Sequence, residues 1–296
     1  MKRQFASSAF FSIALMMKKQ LSEAPGPIGV FDSGYGGLTI LQQIRKTLPQ
    51  YDYIYLGDNA RTPYGTRSFE VVYEFTRQAV SKLFEMGCHL VILACNTASA
   101  KALRSIQTND LPQMDSSRRV LGVIRPTVER IGEMTRSRHI GVVATAGTIK
   151  SESYPLEIRK LFPDITVTGE ACPMWVPLVE NNEATGDGAD FFIRKNLNSL
   201  LGKDPQIDAI ILGCTHYPLL LPKINQYVPQ EVQIITQGEF VAVSLQDYLK
   251  RHPEIADKCT QNGVTHFYTT EAEEKFSESA KLFLNEEIEV KRISLE

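Results

Sequence analysis

Two cysteines lie in similar surroundings in distant parts of the chain. Cys95 follows an apolar run in "VILACNTASA" (91–100), and Cys214 follows another in "IILGCTHYPL" (210–219). Each is predicted to lie in a strand-to-helix turn, where the positive end of the helix favours a thiolate over a thiol. A single buried cysteine is more often an inert core residue. The repeated context predicts a pair of reactive thiols instead.

An aspartate and a histidine could act with these thiols. Asp32 ends a predicted strand in "FDSGYGG" (31–37), where Ser33 and the glycines could turn backbone N–H groups toward a carboxylate. His216 stands two residues after Cys214 and can give or take a proton near neutral pH. The glycine-rich turn matches neither the GxxxxGK[ST] phosphate loop nor the dinucleotide GxGxxG pattern.

Other site chemistries have weaker support in the sequence. There is no Ser-His-Asp elbow, no HExxH motif and no sequence context for a pyridoxal lysine. Two cysteines, a histidine and an aspartate could in principle hold zinc, but only Cys214 and His216 form a close pair. We therefore predict a site with no metal and no cofactor.

The elements that position these residues alternate along the chain. Short apolar runs predict strands at 27–31, 53–56, 89–94, 120–124, 140–144, 209–213 and 232–235. The tail has a strand-helix-strand pattern, with strands at 264–268 and 288–293. Helical spacing predicts helices between most of them, at 38–48, 71–83, 154–162, 189–201, 239–250 and 272–284. This alternation indicates an α/β protein with mostly parallel sheets, which bind ligands at the carboxyl ends of their strands.

The chain also contains a weak internal repeat. "LVILACNTA" (90–98) resembles "AIILGCTHY" (209–217), and "IGVFDSGYGGLTI" (28–40) resembles "IGVVATAGTIKSE" (140–152) in layout. Two similar α/β units would explain this spacing, although α/β proteins also reuse such turns without common ancestry.

Composition and charge restrict the class of protein. Hydrophobic residues make up 43% of the 296 residues and charged residues 22%, as in ordinary globular proteins. A formal net charge of −2 gives no sign of a nucleic-acid-binding surface. The five cysteines include no CxxC pair, which favours a reducing cytoplasm.

The first residues resemble a signal peptide in part. "MKRQFASSAFFSIALMMKK" has a basic start and an apolar run, but a second basic pair follows and no clean cleavage site does. We expect translation to begin at Met16 or Met17, or residues 1–24 to be a loose extension. No other apolar run is long enough to span a bilayer, so we expect no membrane partner.

Together these motifs resemble the glutamate racemases of the cofactor-independent aspartate/glutamate racemase superfamily. The matching segments are "GVFDSGYGGLT" (29–39), "LGDNARTPYG" (56–65), "ACNTASA" (94–100), "CPMWVPLVE" (172–180) and "LGCTHYPLL" (212–220). The resemblance implies interconversion of L- and D-glutamate, with D-glutamate supplied to peptidoglycan. One departure is "GVIRPTVE" (122–129), where Arg125 and Thr127 replace residues of the usual domain connection.

The resemblance implies a role for individual residues. Cys95 would take the Cα proton from D-glutamate, assisted by Asp32. Cys214 would take it from L-glutamate, assisted by His216, with Glu180 as a further acidic residue on that side. The residues implied to hold the substrate are Asp32, Ser33, Tyr64, Gly65, Asn96, Thr97, Thr148, Thr215 and His216.

The resemblance also implies an architecture. We expect two similar doubly wound α/β domains with mostly parallel sheets and an active site in the cleft between them. Domain one would comprise residues 25–121 plus 240–296, and domain two residues 122–239. The protein is expected to be a cytoplasmic homodimer. Two alternatives stay open: a racemase for another acidic amino acid such as aspartate, and a non-catalytic two-lobed amino-acid-binding protein.

Overall fold

The computed structural model describes residues 24–295, in which ten strands form two sheets with every strand pair parallel. The strands are β1 (Ile28–Asp32), β2 (Tyr53–Gly57), β3 (Leu90–Leu93), β4 (Arg119–Gly122), β5 (His139–Ala144), β6 (Thr166–Ala171), β7 (Ala209–Gly213), β8 (Gln233–Ile235), β9 (Thr265–Thr269) and β10 (Val290–Arg292).

Helices connect these strands on both sides of the sheets. The α-helices are α1 (Leu38–Thr47), α2 (Phe69–Glu85), α3 (Asn96–Lys101), α4 (Leu103–Ser105), α5 (Leu111–Met114), α6 (Ile124–Arg130), α7 (Ala146–Lys150), α8 (Ser153–Leu161), α9 (Trp175–Glu180), α10 (Asp187–Lys203), α11 (Leu221–Tyr227), α12 (Gly238–Arg251), α13 (Pro253–Ala256) and α14 (Glu273–Leu284).

The two sheets share one topology. The first has the order β10-β9-β2-β1-β3-β4 and the second the order β6-β5-β7-β8. Four strands of the first sheet, β2-β1-β3-β4, therefore repeat the order of the second. Both sheets are doubly wound, and the strand order reverses between β1 and β3 in one sheet and between β5 and β7 in the other. The predicted α/β class with two similar doubly wound units is confirmed.

The central strands and the helices that cover them have different burial patterns. Every residue of β1 and of β7 is buried, as expected for parallel strands covered by helices on both faces. α2 shows the other pattern, with one buried stripe that includes Val72, Ala79 and Leu83. Ser68 caps its first turn by accepting the Val71 N–H, and Gly87 follows its last turn with φ +93°.

The structure differs from the sequence prediction at several elements. The strand expected at 120–124 covers Arg119–Gly122, and α6 begins at Ile124, where the chain turns toward the second sheet. β6 was not predicted, because this edge strand, "TVTGEA", is only partly buried and lacks a continuous apolar run. The short helix α9, which carries Glu180, was not predicted either.

The chain passes between the sheets twice. It leaves the first sheet after Gly122 and returns after Ile235, so the first sheet contains strands from both ends of the described chain. The domain boundaries at 121/122 and 239/240 remain predictions, although Gly122 still belongs to β4. The predicted extension, except Ala24, lies outside the described residues. Between residues 24 and 295, no helix has both the length and the apolar character needed to cross a membrane.

Candidate active site

The candidate site lies where the carboxyl ends of the two sheets face each other. Asp32 ends β1 and Cys95 follows β3, on either side of the point where the strand order of the first sheet reverses. Thr145 and Cys214 follow β5 and β7 at the matching point of the second sheet. Open α/β sheets bind ligands at such reversal points. The repeated topology therefore brings the two cysteine-bearing turns to one cleft.

Cys95 is buried at the start of α3. Its Sγ accepts the Ala98 N–H at 3.4 Å and lies 3.3 Å from Ser33 Oγ. Burial raises the pKa of this thiol to about 12, and the nearby Asp32 carboxylate raises it too, while Ser33 and the Ala98 N–H act in the opposite direction. Cys95 is therefore a thiol in this state, and its thiolate would be a strong base.

Cys214 has a different set of partners. Its Sγ lies 3.9 Å from His216 Nδ1, and His216 Nε2 lies 3.0 Å from Glu180 Oε1. Burial alone would lower the pKa of His216, but its bonds to Cys214 and Glu180 outweigh that effect and raise the pKa to about 10. The imidazole is therefore held as a cation between the Glu180 carboxylate and Cys214 Sγ.

Asp32 lies fully buried between the two cysteine turns. Its carboxylate accepts the Gly34 N–H at 2.9 Å and, more weakly, the Thr215 hydroxyl at 3.5 Å. Burial raises the pKa of Asp32, although the His216 charge partly offsets this. Within residues 24–295, Ser33 rather than Asp32 makes the side-chain contact with Cys95. Direct assistance of Cys95 by Asp32 remains a prediction.

Three threonine hydroxyls meet across the cleft. Thr97 Oγ1 lies 3.0 Å from Thr145 Oγ1 and 3.3 Å from Thr148 Oγ1, and the last two lie 3.1 Å apart. Thr97 and Thr148 were predicted from the sequence, but Thr145 was not. In the internal repeat Thr145 occupies the place of Ser33, and this alignment could have identified it.

Tyr64 and Gly65 reach the cleft from the loop after β2. The Tyr64 hydroxyl is already bonded to the buried carboxylate of Asp58, and a role of Tyr64 in holding the substrate remains a prediction. A Cβ at Gly65 would lie 2.7 Å from Thr145 Cβ, closer than side-chain atoms normally approach. The glycine therefore allows the loop to approach the second sheet.

The glycine-rich turn after β1 fits closely against the Cys214 turn. A Cβ at Gly36 would overlap Thr215 Oγ1 and His216 Nδ1. The Thr39 hydroxyl, at the start of α1, donates to the Thr215 carbonyl at 3.1 Å. Gly36 therefore allows close packing between the two halves of the site.

Asn96 lies at the inner end of the cleft. Its Nδ2 donates to Gln237 Oε1 and its Oδ1 accepts the Tyr154 hydroxyl, both at 2.7 Å. Neither partner was predicted from the sequence: Tyr154 lies in α8, and Gln237, although it follows β8, belongs to no motif that stands out. The structure thus brings all the predicted residues to one cleft and adds Thr145, Tyr154 and Gln237. Within residues 24–295, no group of three or more Cys, His, Asp or Glu side chains is arranged to hold a metal ion.

Comparison with known proteins agrees with this geometry. A family model described as Asp/Glu/Hydantoin racemase matches residues 36–245. The glutamate racemase of Geobacter metallireducens is 38% identical over 271 residues, which cover 91% of this chain and 97% of that protein.

Solved structures give the same relationship. A glutamate racemase isoform from Bacillus anthracis has a TM-score of 0.83 and 34% identity, covering 91% of this chain and 98% of the other. The glutamate racemase of Francisella tularensis, solved in complex with D-glutamate, has a TM-score of 0.81 and 32% identity, covering 93% and 98%. This chain therefore belongs to the Asp/Glu/hydantoin racemase family, among its glutamate racemases.

Proposed function

We propose that this protein interconverts L- and D-glutamate by moving protons at Cα between two thiols, Cys95 and Cys214, and so supplies D-glutamate for peptidoglycan. One observation carries the proposal: the two cysteines follow equivalent strands, β3 and β7, of two sheets whose carboxyl ends face each other. A planar carbanion between them would have one thiol on each face. The relative solved with D-glutamate supports the choice of substrate.

The reaction needs one base and one acid at a time. Starting from D-glutamate, the Cys95 thiolate takes the Cα proton, and the C–H electron pair remains on the substrate as a carbanion. The Cys214 thiol then delivers its proton to the opposite face, which forms the L-enantiomer and leaves a thiolate at Cys214. The reverse reaction exchanges the two roles.

The two thiols are supported unequally. Burial raises the pKa of Cys95 to about 12, which makes its thiolate scarce but strongly basic. Cys214 Sγ instead lies 3.9 Å from Nδ1 of the His216 cation, which Glu180 holds from the other side. We propose that His216 exchanges a proton with Cys214 and that Glu180 holds His216 in its charged form.

Neutral donors surround the two thiols. The hydroxyls of Ser33, Thr97, Thr148 and Thr215 are suited to binding the substrate carboxylates, because they donate hydrogen bonds without adding a competing base. Such bonds strengthen as negative charge develops on the carbanion, and exclusion of water strengthens them further. We propose that Thr145 belongs to this group, since its hydroxyl lies 3.0 Å from that of Thr97.

We further propose that the protein works as a homodimer in the cytoplasm, with its domains divided at about residues 121/122 and 239/240. The odd cysteine count and the absence of a CxxC pair support the cytoplasmic assignment. Sedimentation equilibrium tests the dimer, and a monomer at all concentrations would exclude it. Recovery of the native protein from a membrane or exported fraction would contradict the location.

Incubation with L-glutamate in deuterium oxide tests the reaction directly. We expect optical rotation to decay to zero while NMR shows deuterium entering at Cα. Parallel incubations with L-aspartate test the choice of substrate, and faster exchange of aspartate would reassign it. Failure to exchange any acidic amino acid would exclude the racemase and leave an amino-acid-binding protein as the alternative.

A further inference from the structure

Gln237 joins the two segments where the chain passes between the sheets. It precedes α12, on the segment that returns to the first sheet, and its side chain is buried. Its Nε2 lies 3.2 Å from the Val123 carbonyl and 3.1 Å from Thr127 Oγ1, both on the segment that leaves that sheet. This one amide therefore ties the two connections together.

The same amide reaches the substrate cleft. Gln237 Nε2 donates to the Tyr154 hydroxyl at 2.7 Å, and this hydroxyl donates to Asn96 Oδ1 at 2.7 Å. Gln237 Oε1 accepts from Asn96 Nδ2, also at 2.7 Å. Burial raises the pKa of Tyr154, so its hydroxyl keeps its proton and can donate at any physiological pH.

This network allows only one orientation of the Asn96 amide. The Val123 carbonyl can only accept, so Gln237 must turn its Nε2 toward it and present Oε1 to Asn96. Asn96 must then present Nδ2 to Gln237 and Oδ1 to Tyr154. Among the described residues, Nδ2 donates to Gln237 alone, which leaves its second hydrogen for a ligand oxygen.

We propose that Gln237 and Tyr154 are positioning residues that hold the Asn96 amide in the orientation that donates to a substrate carboxylate, and that they thereby couple substrate binding to the connection between the sheets. Neither residue contacts the reacting atoms in this proposal; both act through Asn96. The inference rests on the proposed racemase function, because it assumes that Asn96 binds the substrate.

A double-mutant cycle with Asn96→Ala tests this coupling. Tyr154→Phe removes only one hydroxyl and keeps the buried ring. We expect it to lower kcat/KM about tenfold in the wild-type background, mainly through a higher KM, which corresponds to about 1.4 kcal/mol. In the Asn96→Ala background the same change should alter kcat/KM less than about twofold, because no amide remains to be oriented.

Two further variants complete the experiment. Tyr53→Phe is the matched control, because it also removes the hydroxyl of a buried tyrosine, one that donates to the Leu48 carbonyl outside the cleft. It should leave kcat/KM within about twofold of wild type. Gln237→Glu keeps the shape of the side chain but removes the two N–H donors at Nε2. If Tyr154→Phe does not fold, Gln237→Glu replaces it in the same double-mutant cycle with Asn96→Ala. Equal fold-losses in both Asn96 backgrounds would overturn the positioning role alone. An inactive wild type would overturn the positioning role and the proposed function together.

Discussion

Glu180→Gln isolates the charge that supports His216. The His216 and Glu180 side chains are 5% and 19% exposed and lie 3.0 Å apart, so their bond is little screened by water. The substitution exchanges a charge-assisted hydrogen bond of about 1.5–3 kcal/mol for a neutral one of about 0.5–1.5 kcal/mol. A net loss of about 1–1.5 kcal/mol should lower the pKa of His216 from about 10 to roughly 9.

The sign of the kinetic effect follows from the shared proton. The Cys214–His216 pair must hold one proton that can be delivered to the carbanion, and this proton is lost as pH rises through the pKa of the pair. The alkaline limb of the kcat/KM profile should therefore shift to lower pH by about one unit. It should move equally for L- and D-glutamate, because the equilibrium constant between enantiomers is unity and fixes the ratio of their kcat/KM values.

The assay combines polarimetry from each enantiomer across the alkaline range with an NMR titration of the His216 ring. Glu183→Gln is the matched control, because it removes an exposed carboxylate three residues away and should leave both curves unchanged. An alkaline limb that stays within about 0.3 pH of wild type, or moves upward, would refute this account of the His216–Glu180 pair.

Two further predictions concern the turn after β1. Gly36→Ala should lower kcat/KM by at least about a hundredfold, since its methyl group would displace the His216 ring; Gly202→Ala, which meets no neighbouring atom, should have no effect in the same steady-state assay. Ser33→Ala should raise the pKa of Cys95 further and lower kcat/KM about threefold to tenfold, with the acidic limb of the pH profile moving upward. An unmoved acidic limb would remove Ser33 from the proton-transfer chemistry.

Much of the fold could be predicted because its central strands are continuous apolar runs. Ala209–Gly213, for example, is buried at every position and was predicted with the same bounds. Thr166–Ala171 could not be identified, because an edge strand covered on fewer sides needs fewer apolar residues. The repeated sequence pattern around the two cysteines also predicted that the two units would resemble each other.

The site residues that lie at the end of a buried strand, within a recognisable motif, could be predicted from the sequence. Asp32, Cys95 and Cys214 each end or follow a buried strand, and parallel sheets place such residues at one edge. Tyr154 lies in α8 and Gln237 between β8 and α12, in no recognisable motif. Both belong to the site through hydrogen bonds to Asn96, which is 58 positions from Tyr154 and 141 positions from Gln237 in the chain. No local pattern specifies such contacts, so the orientation of Asn96 became apparent only in three dimensions.

Isotope exchange by the two single-cysteine variants tests the central claim most directly. With only one thiol left, the enzyme can remove a Cα proton and return a deuteron to the same face, but it cannot invert the centre. In deuterium oxide, Cys214→Ala should therefore exchange the Cα proton of D-glutamate only, and Cys95→Ala that of L-glutamate only, with no racemisation by either. Exchange of the same enantiomer by both variants, or racemisation by either one, would contradict a two-thiol mechanism.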